Sequence, residues 1–309
     1  MIQGVGANSQ EFLANLQILT QQTQVTEEQV SSGRTINRPS DNPGELGDVL
    51  QLETDLGNVN QVSQNLSQVT SQVNTAESAL QSVTTLLDQV NSLGEQGANS
   101  NISASVRSGL SQQVEQALSQ LVSLSQTQYD GQYVFSGANA NQPSYQLDLN
   151  SPTGVDQLLV NPATNLIQDA TGTTFAVSQT AQQIFDDQNP DGSPAADNIF
   201  AAVNNLRVAL ANNDQNGITS ALSSLKSAQD HLAASLQFYG GVQDQISNAT
   251  SVAQKFQLQY QSGLSQETST NMATAAITLT QEQTSLQASL QMEASLPKTT
   301  LFDLLGGGA

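Results

Sequence analysis

Val59-Asn-Gln-Val-Ser-Gln-Asn-Leu66-Ser-Gln-Val-Thr-Ser-Gln-Val73-Asn-Thr-Ala-Glu-Ser-Ala-Leu80-Gln-Ser-Val-Thr-Thr-Leu-Leu87-Asp-Gln-Val90 is the stretch that decides the fold. Its apolar residues Val59, Val62, Leu66, Val69, Val73, Ala76, Leu80, Val83, Leu87 and Val90 follow one another at alternating three- and four-residue steps. An α-helix gathers that spacing on one stripe, and its persistence over several heptads is the seam of a coiled coil. The flanking positions carry Ser63, Asn65, Thr70, Gln72, Ala79 and Thr84, with Glu77 the nearby charge, where a soluble zipper places Glu and Lys. The seam therefore calls for a partner that is not salt-bridged to it, inside an intramolecular bundle or a polymer.

Working outward, Phe12, Leu16, Leu19, Thr23, Thr26 and Val30 predict a helix over about 8–32 that ends at Gly33. A loop with Arg34, Arg38, Pro39 and Ser40 follows. Asn42 is the expected N-cap of the long helix, with Pro43 at its first position and Glu45 three residues after the cap. Gly94 and Gly97 are expected to end that helix near Leu93, and a third helix is expected over about 103–129.

The pattern then changes. Gly131-Gln-Tyr-Val-Phe-Ser-Gly137 reads as a strand, and the Pro- and Gly-punctuated stretch to residue 195 reads as a β-rich insert of hairpins. Helical pattern returns over about 196–211 and again over about 215–263. The latter seam contains Leu222, Leu225, Leu232, Leu236, Val242, Ile246, Ala249, Ala253, Phe256 and Tyr260, with an interruption expected at Gly240-Gly241. A last helical segment, 266–293, carries Met272, Ala276, Leu279, Leu286 and Leu290. The fold class is thus mainly α: a long antiparallel coiled-coil rod formed by the N- and C-terminal segments, with a small β-rich inserted domain. The expected division is 1–42, 43–130, 131–195, 196–263 and 264–309.

Composition narrows the function. Charged residues are 11%, and 27 acids stand against seven scattered bases, a net charge of -20, so no basic patch can be assembled for nucleic acid or anionic membrane. No cysteine is present, which removes disulfide and thiolate chemistry. Residues 1–12 lack the basic and continuous apolar regions of a Sec signal, which leaves a cytosolic protein or one exported without a cleaved signal.

Sites of chemistry are few. Asp187-Gln-Asn189-Pro-Asp191-Gly192 matches the first half of a calcium loop, but the twelfth position is Asn198 rather than a bidentate Glu, and a turn accounts for the same residues. His231 is the sole histidine, so a His-based triad or a multi-histidine metal site is out of reach of one chain, and a solvated or packing position is expected for it. No nucleotide-binding glycine pattern is present. Neither catalytic residues, a cofactor nor a metal is expected.

The loop and cap, Ser31-Ser-Gly-Arg-Thr-Ile-Asn-Arg-Pro-Ser-Asp-Asn-Pro-Gly-Glu45, resemble the N-terminal signature of the bacterial flagellin superfamily, and its hook–filament junction branch more than filament flagellin. Gly131-Gln-Tyr-Val-Phe-Ser-Gly137, Gln183-Ile-Phe185, Ser289-Leu-Gln291 and Ser295-Leu-Pro-Lys-Thr-Thr-Leu-Phe-Asp-Leu-Leu305 are similar to further family elements, in order. Asn271 stands where the family has an acid, and the family's early Arg is missing.

The resemblance implies a structural subunit of the flagellum, exported by the flagellar type III apparatus and located outside the cell. It implies a homo-oligomeric ring between a neighbouring hook-associated junction protein and flagellin, and an export chaperone. Terminal helices would make the subunit contacts, with Phe12, Leu16, Leu19, Val30, Met272, Ala276, Leu279, Leu286 and Leu290 as the expected interface. For Arg34, Arg38, Pro39, Asn42, Pro43 and Glu45, a subunit contact and a capped turn are both open. Filament flagellin is the alternative, and a secreted module that binds a surface ligand through its β insert is the alternative of another class.

Overall fold

The structure, a computed structural model, describes residues 3–38, 40–160 and 163–295. It is mainly α. Helices α1 (Gln3–Ser32), α2 (Leu46–Ala98) and α3 (Ala104–Ser125) precede three antiparallel hairpins. A short α4 (Ala181–Phe185), then α5 (Ile199–Ala211), α6 (Gln215–Thr268) and α7 (Met272–Ser295) complete it. The chain forms two compact units, one of residues 58–257 and one of the two ends, 1–57 with 258–309. No helix among the described residues is long and apolar enough to cross a membrane.

In the 58–257 unit the predicted ladder of α2 is the core: Val59, Leu66, Val73, Ala76, Leu80, Val83, Leu87 and Val90 are buried, with Val62 and Val69 half-buried. The facing seam of α6 is Ile218, Ala221, Leu225, Ala228, Leu232, Ser235, Tyr239, Val242, Ile246, Ala249 and Ala253, all buried and again three and four residues apart. The two helices run antiparallel. Gln257 donates to Asn60 at 3.0 Å, Gln243 to Asn74 at 3.1 Å and Gln229 to Asp88 at 2.9 Å, so one number rises as the other falls in equal steps. The flanks thus bond through glutamine amide rungs, one about every second heptad, donated to Asn60, to Asn74 and to the carboxylate of Asp88.

Several expectations are corrected. Gly94 and Gly97 do not end α2; they let neighbouring helices approach. A Cβ on Gly94 would stand 2.7 Å from Leu222 and 3.1 Å from Leu206, and one on Gly97 would collide with Leu210. Gly240 and Gly241 do not interrupt α6, because the seam passes them through Tyr239 and Val242. Leu222 and Leu236 are only half-buried, since the true stripe includes Ser235 and Tyr239.

The third helix stops at Ser125 because β1 (Gln128–Tyr129) begins a hairpin with β2 (Gln132–Tyr133). Asp130 and Gly131 form the turn at φ 50° and 75°, the left-handed pair that a two-residue hairpin needs. The remaining hairpins join β3 (Tyr145–Leu147) to β4 (Val155–Gln157) and β5 (Leu166–Gln168) to β6 (Thr174–Ala176). The insert shares its core with α5: the rings of Phe135 and Phe185 meet edge-on at 5.5 Å, and Phe200 lies 5.7 Å from Phe185 and 5.1 Å from Tyr145. Buried Arg107 bonds the carbonyls of Gly97 and Asn99 and the side chains of Asn213 and Gln215, placing a cation at the carboxyl end of α2.

Candidate assembly interface

In the terminal unit α7 packs on α1, running back from a junction where Thr35 N–H donates to Thr268 O at 2.6 Å and Thr270 N–H to Gly33 O at 3.0 Å. Gly33 closes α1 at φ +71°. The α1 stripe read from the sequence faces α7: Thr23 and Thr26 are buried, and Phe12, Leu16, Leu19 and Val30 are half-buried. On α7, Ala275 is buried and Thr278, Leu279 and Leu286 are half-buried. Met272, Ala276 and Leu290 lie on the exposed side.

The nine expected interface residues are therefore divided between a contact within the chain and open surface. Four further apolar side chains on these helices, Leu13, Ile18, Ile277 and Met292, are 50%, 54%, 61% and 62% exposed. They lie off the main stripe of helices that are otherwise rich in Gln, Thr and Ser.

The loop after α1 is a hydrogen-bonded knot. The Asp41 carboxylate accepts from the amides of Asn37 (2.9 Å) and Arg38 (2.7 Å), and these bonds hold its carboxyl below the usual carboxylate range. Arg38 pairs with Glu28 at 2.9 Å, the backbone of Arg34 forms an isolated antiparallel bridge with that of Ser269, and Ile36 is buried. The expected cap is displaced. Asn42 Oδ1 receives Gly44 N–H at 3.2 Å in a local turn, so Pro43 and Glu45 precede the helix and α2 begins at Leu46. Pro39 lies outside the described residues.

In the other unit the calcium-like segment serves local structure. Asp191 Oδ1 accepts from Ser193 N–H at 3.0 Å and its hydroxyl at 2.6 Å, while Asn198 caps α5 through Ala201 N–H at 2.8 Å. Asp186 turns inward to accept from Asn198, Tyr145 and Gln188, and burial raises its carboxyl above the usual range against those bonds. His231 is neither merely solvated nor packing. Its ring meets Gln183 O at 2.8 Å and Asp197 at 3.2 Å, with Asp187 nearby. Nothing in the spacing of these residues pointed to the grouping.

Among the described residues, α2 and α6 run antiparallel, a small β-rich insert lies between them in sequence, and α1 pairs with α7: a mainly α structural class. Residues 6–140 match the bacterial flagellin N-terminal helical region. The flagellar hook-associated protein 3 of Escherichia coli (strain K12) is 24% identical over 59% of this chain and 58% of its own length. The flagellar filament 41 kDa core protein of Borreliella burgdorferi is 28% identical over 38% of this chain and 35% of its own. The chain thus spans little more than half of one curated relative and about a third of the other. The flagellar hook-associated protein 3 of Legionella pneumophila shares the fold, with a TM-score of 0.60 at 14% identity, covering 71% of this chain and 98% of that one. The chain resembles the flagellin superfamily, and within it hook-associated protein 3.

Proposed function

We propose that the chain is a structural subunit of the bacterial flagellum that joins hook to filament, and that it works mechanically rather than as an enzyme. The observation that carries this reading is the pair of terminal helices. They meet through Thr23, Thr26 and Ala275 yet leave Leu13, Ile18, Ile277 and Leu290 exposed, apolar surface that a neighbouring subunit would bury. Their low charge suits burial on several sides, since an unpaired charge taken out of water is costly. In the proposed cycle the subunit leaves the cell by the flagellar type III route with a chaperone. It then forms a homo-oligomeric ring between a hook-associated junction protein and flagellin.

The second reading, filament flagellin, is favoured by the match to the filament core protein. Deleting the gene in its flagellated host separates them. Hooks without filaments, and flagellin shed into the medium, are expected for the junction subunit. Complete filaments in the deletion strain, or long filaments grown by the purified protein alone, would overturn it.

A further inference from the structure

We propose that Asp187, Asp197 and His231 form a binding site for a borderline divalent transition ion, for which zinc is the natural probe. Asp187 follows α4, Asp197 precedes the cap of α5 and His231 lies on α6, so three elements distant in sequence converge. One ligand atom from each lies within 4.8 Å of the others. His231 Nδ1 and Asp197 Oδ2 are 3.2 Å apart, and two ligands of a tetrahedral zinc stand about 3.3 Å apart.

The hydrogen bond on the other ring nitrogen fixes the chemistry. Gln183 O, 2.8 Å from Nε2, is a carbonyl and can only accept, so Nε2 carries the hydrogen. The other ring nitrogen, Nδ1, faces the carboxylates of Asp197 and Asp187, so a metal ion bound there would take the place of the proton that otherwise bridges the ring to Asp197. An imidazole anchored by N–H to a backbone carbonyl is also how metal-ligating histidines are oriented.

The carboxylates stand on a braced frame, as ligand residues require. Asp187 O accepts from Ala195 N–H at 2.9 Å and from Asn198 Nδ2 at 3.0 Å, which ties the backbone on either side of the site together. Asp186, beside them, faces the interior with its oxygens taken, and is not a ligand. One nitrogen and two carboxylates favour zinc and its neighbours over calcium, which takes six to eight oxygens. Water would complete the shell, and the net charge of -20 raises the local concentration of cations. The bound ion would fasten the 187–197 loop to α6.

The test uses the untagged full-length chain, freed of metal by a chelator and titrated calorimetrically with zinc sulfate at neutral pH and physiological salt. One equivalent per chain is expected, weakened at least tenfold by each of Asp187→Asn, Asp197→Asn and His231→Gln. His231 is the only histidine, so its ring resonances report the site independently of any variant. Zinc should shift Nδ1 and leave Nε2–H in place. Zinc binding that the three substitutions leave unchanged, or ring resonances that saturating zinc does not move, overturns the proposal.

Discussion

The two units solve the same packing problem with different materials. In residues 58–257, α2 and α6 interlock through Leu66, Leu80, Leu87, Leu225 and Leu232, at most 1% exposed. In the terminal unit, α1 and α7 meet through buried Thr23, Thr26 and Ala275 and half-buried Phe12, Leu16 and Leu279. Threonine at a seam contributes a methyl and satisfies its hydroxyl on its own helix, as Thr23 does on Leu19 O at 2.9 Å. Less apolar area therefore leaves water per turn, so a helix pair of this kind is weaker alone. The lesson is about division of labour. One unit buries its apolar stripe within itself, and the other leaves apolar side chains such as Leu13, Ile18 and Ile277 exposed.

The largest expected effect breaks the comparison if it fails. Leu80→Ala in the buried seam should lower the unfolding free energy by about 3 kcal/mol, while Leu16→Ala should cost about 1 kcal/mol or less. Chemical denaturation of the full chain measures both. Equal losses would mean that the terminal helices are as well packed as the central ones.

A second substitution, Arg107→Met, keeps the volume but removes the donors to Gly97 O and Asn99 O. About 2 kcal/mol of destabilisation is expected from the orphaned carbonyls, read in the same experiment. A neutral result would show that water replaces the guanidinium.

Glycine sharpens the contrast at a finer scale, and it is where the sequence was least legible. The heptad ladder was readable because Val and Leu at 3.5-residue spacing have one structural meaning. Gly94, Gly97, Gly240 and Gly241 do not, because a glycine that ends a helix and one that admits a neighbour look alike in sequence. Gly94→Ala should destabilise by about 1–2 kcal/mol, since its Cβ meets Leu222 and Leu206. Gly240→Ala, with nothing within 4 Å of the added Cβ, should stabilise by about 0.5–1 kcal/mol. Thermal melts of the two variants should move in opposite directions.

The same limit hides the insert's turn at Asp130-Gly131, because the residues before it continue a helical pattern. It also hid Tyr239 and Ser235, polar-tipped residues in an apolar stripe. The grouping of Asp187, Asp197 and His231 was out of reach altogether, because it arises from the docking of the insert on α6. On the terminal helices, periodicity located the stripe but could not say whether α7 or another subunit covers it.

The smallest effect tests the loop that joins α1 to α2. Asp41 is held ionised by the amides of Asn37 and Arg38, so its carboxyl in the folded loop lies below the ordinary value of 3.8. Its sign follows from linkage. A group whose carboxyl is depressed on folding adds stability above its unfolded value, and that contribution is lost as pH falls through the folded one. Asn37 and Arg38 amides should therefore be protected from hydrogen exchange equally at pH 7 and pH 5, and lose protection only in the range at and below 3.8. Because the group is exposed, solvent screens the effect and the change should stay local. Asp41→Asn should remove this acid step and reduce protection of the two amides at all pH values, while exchange in the α2–α6 seam stays as it was. Loss of seam protection together with the loop would show that the loop governs more than its own backbone, and that the terminal and central units do not hold their stability separately.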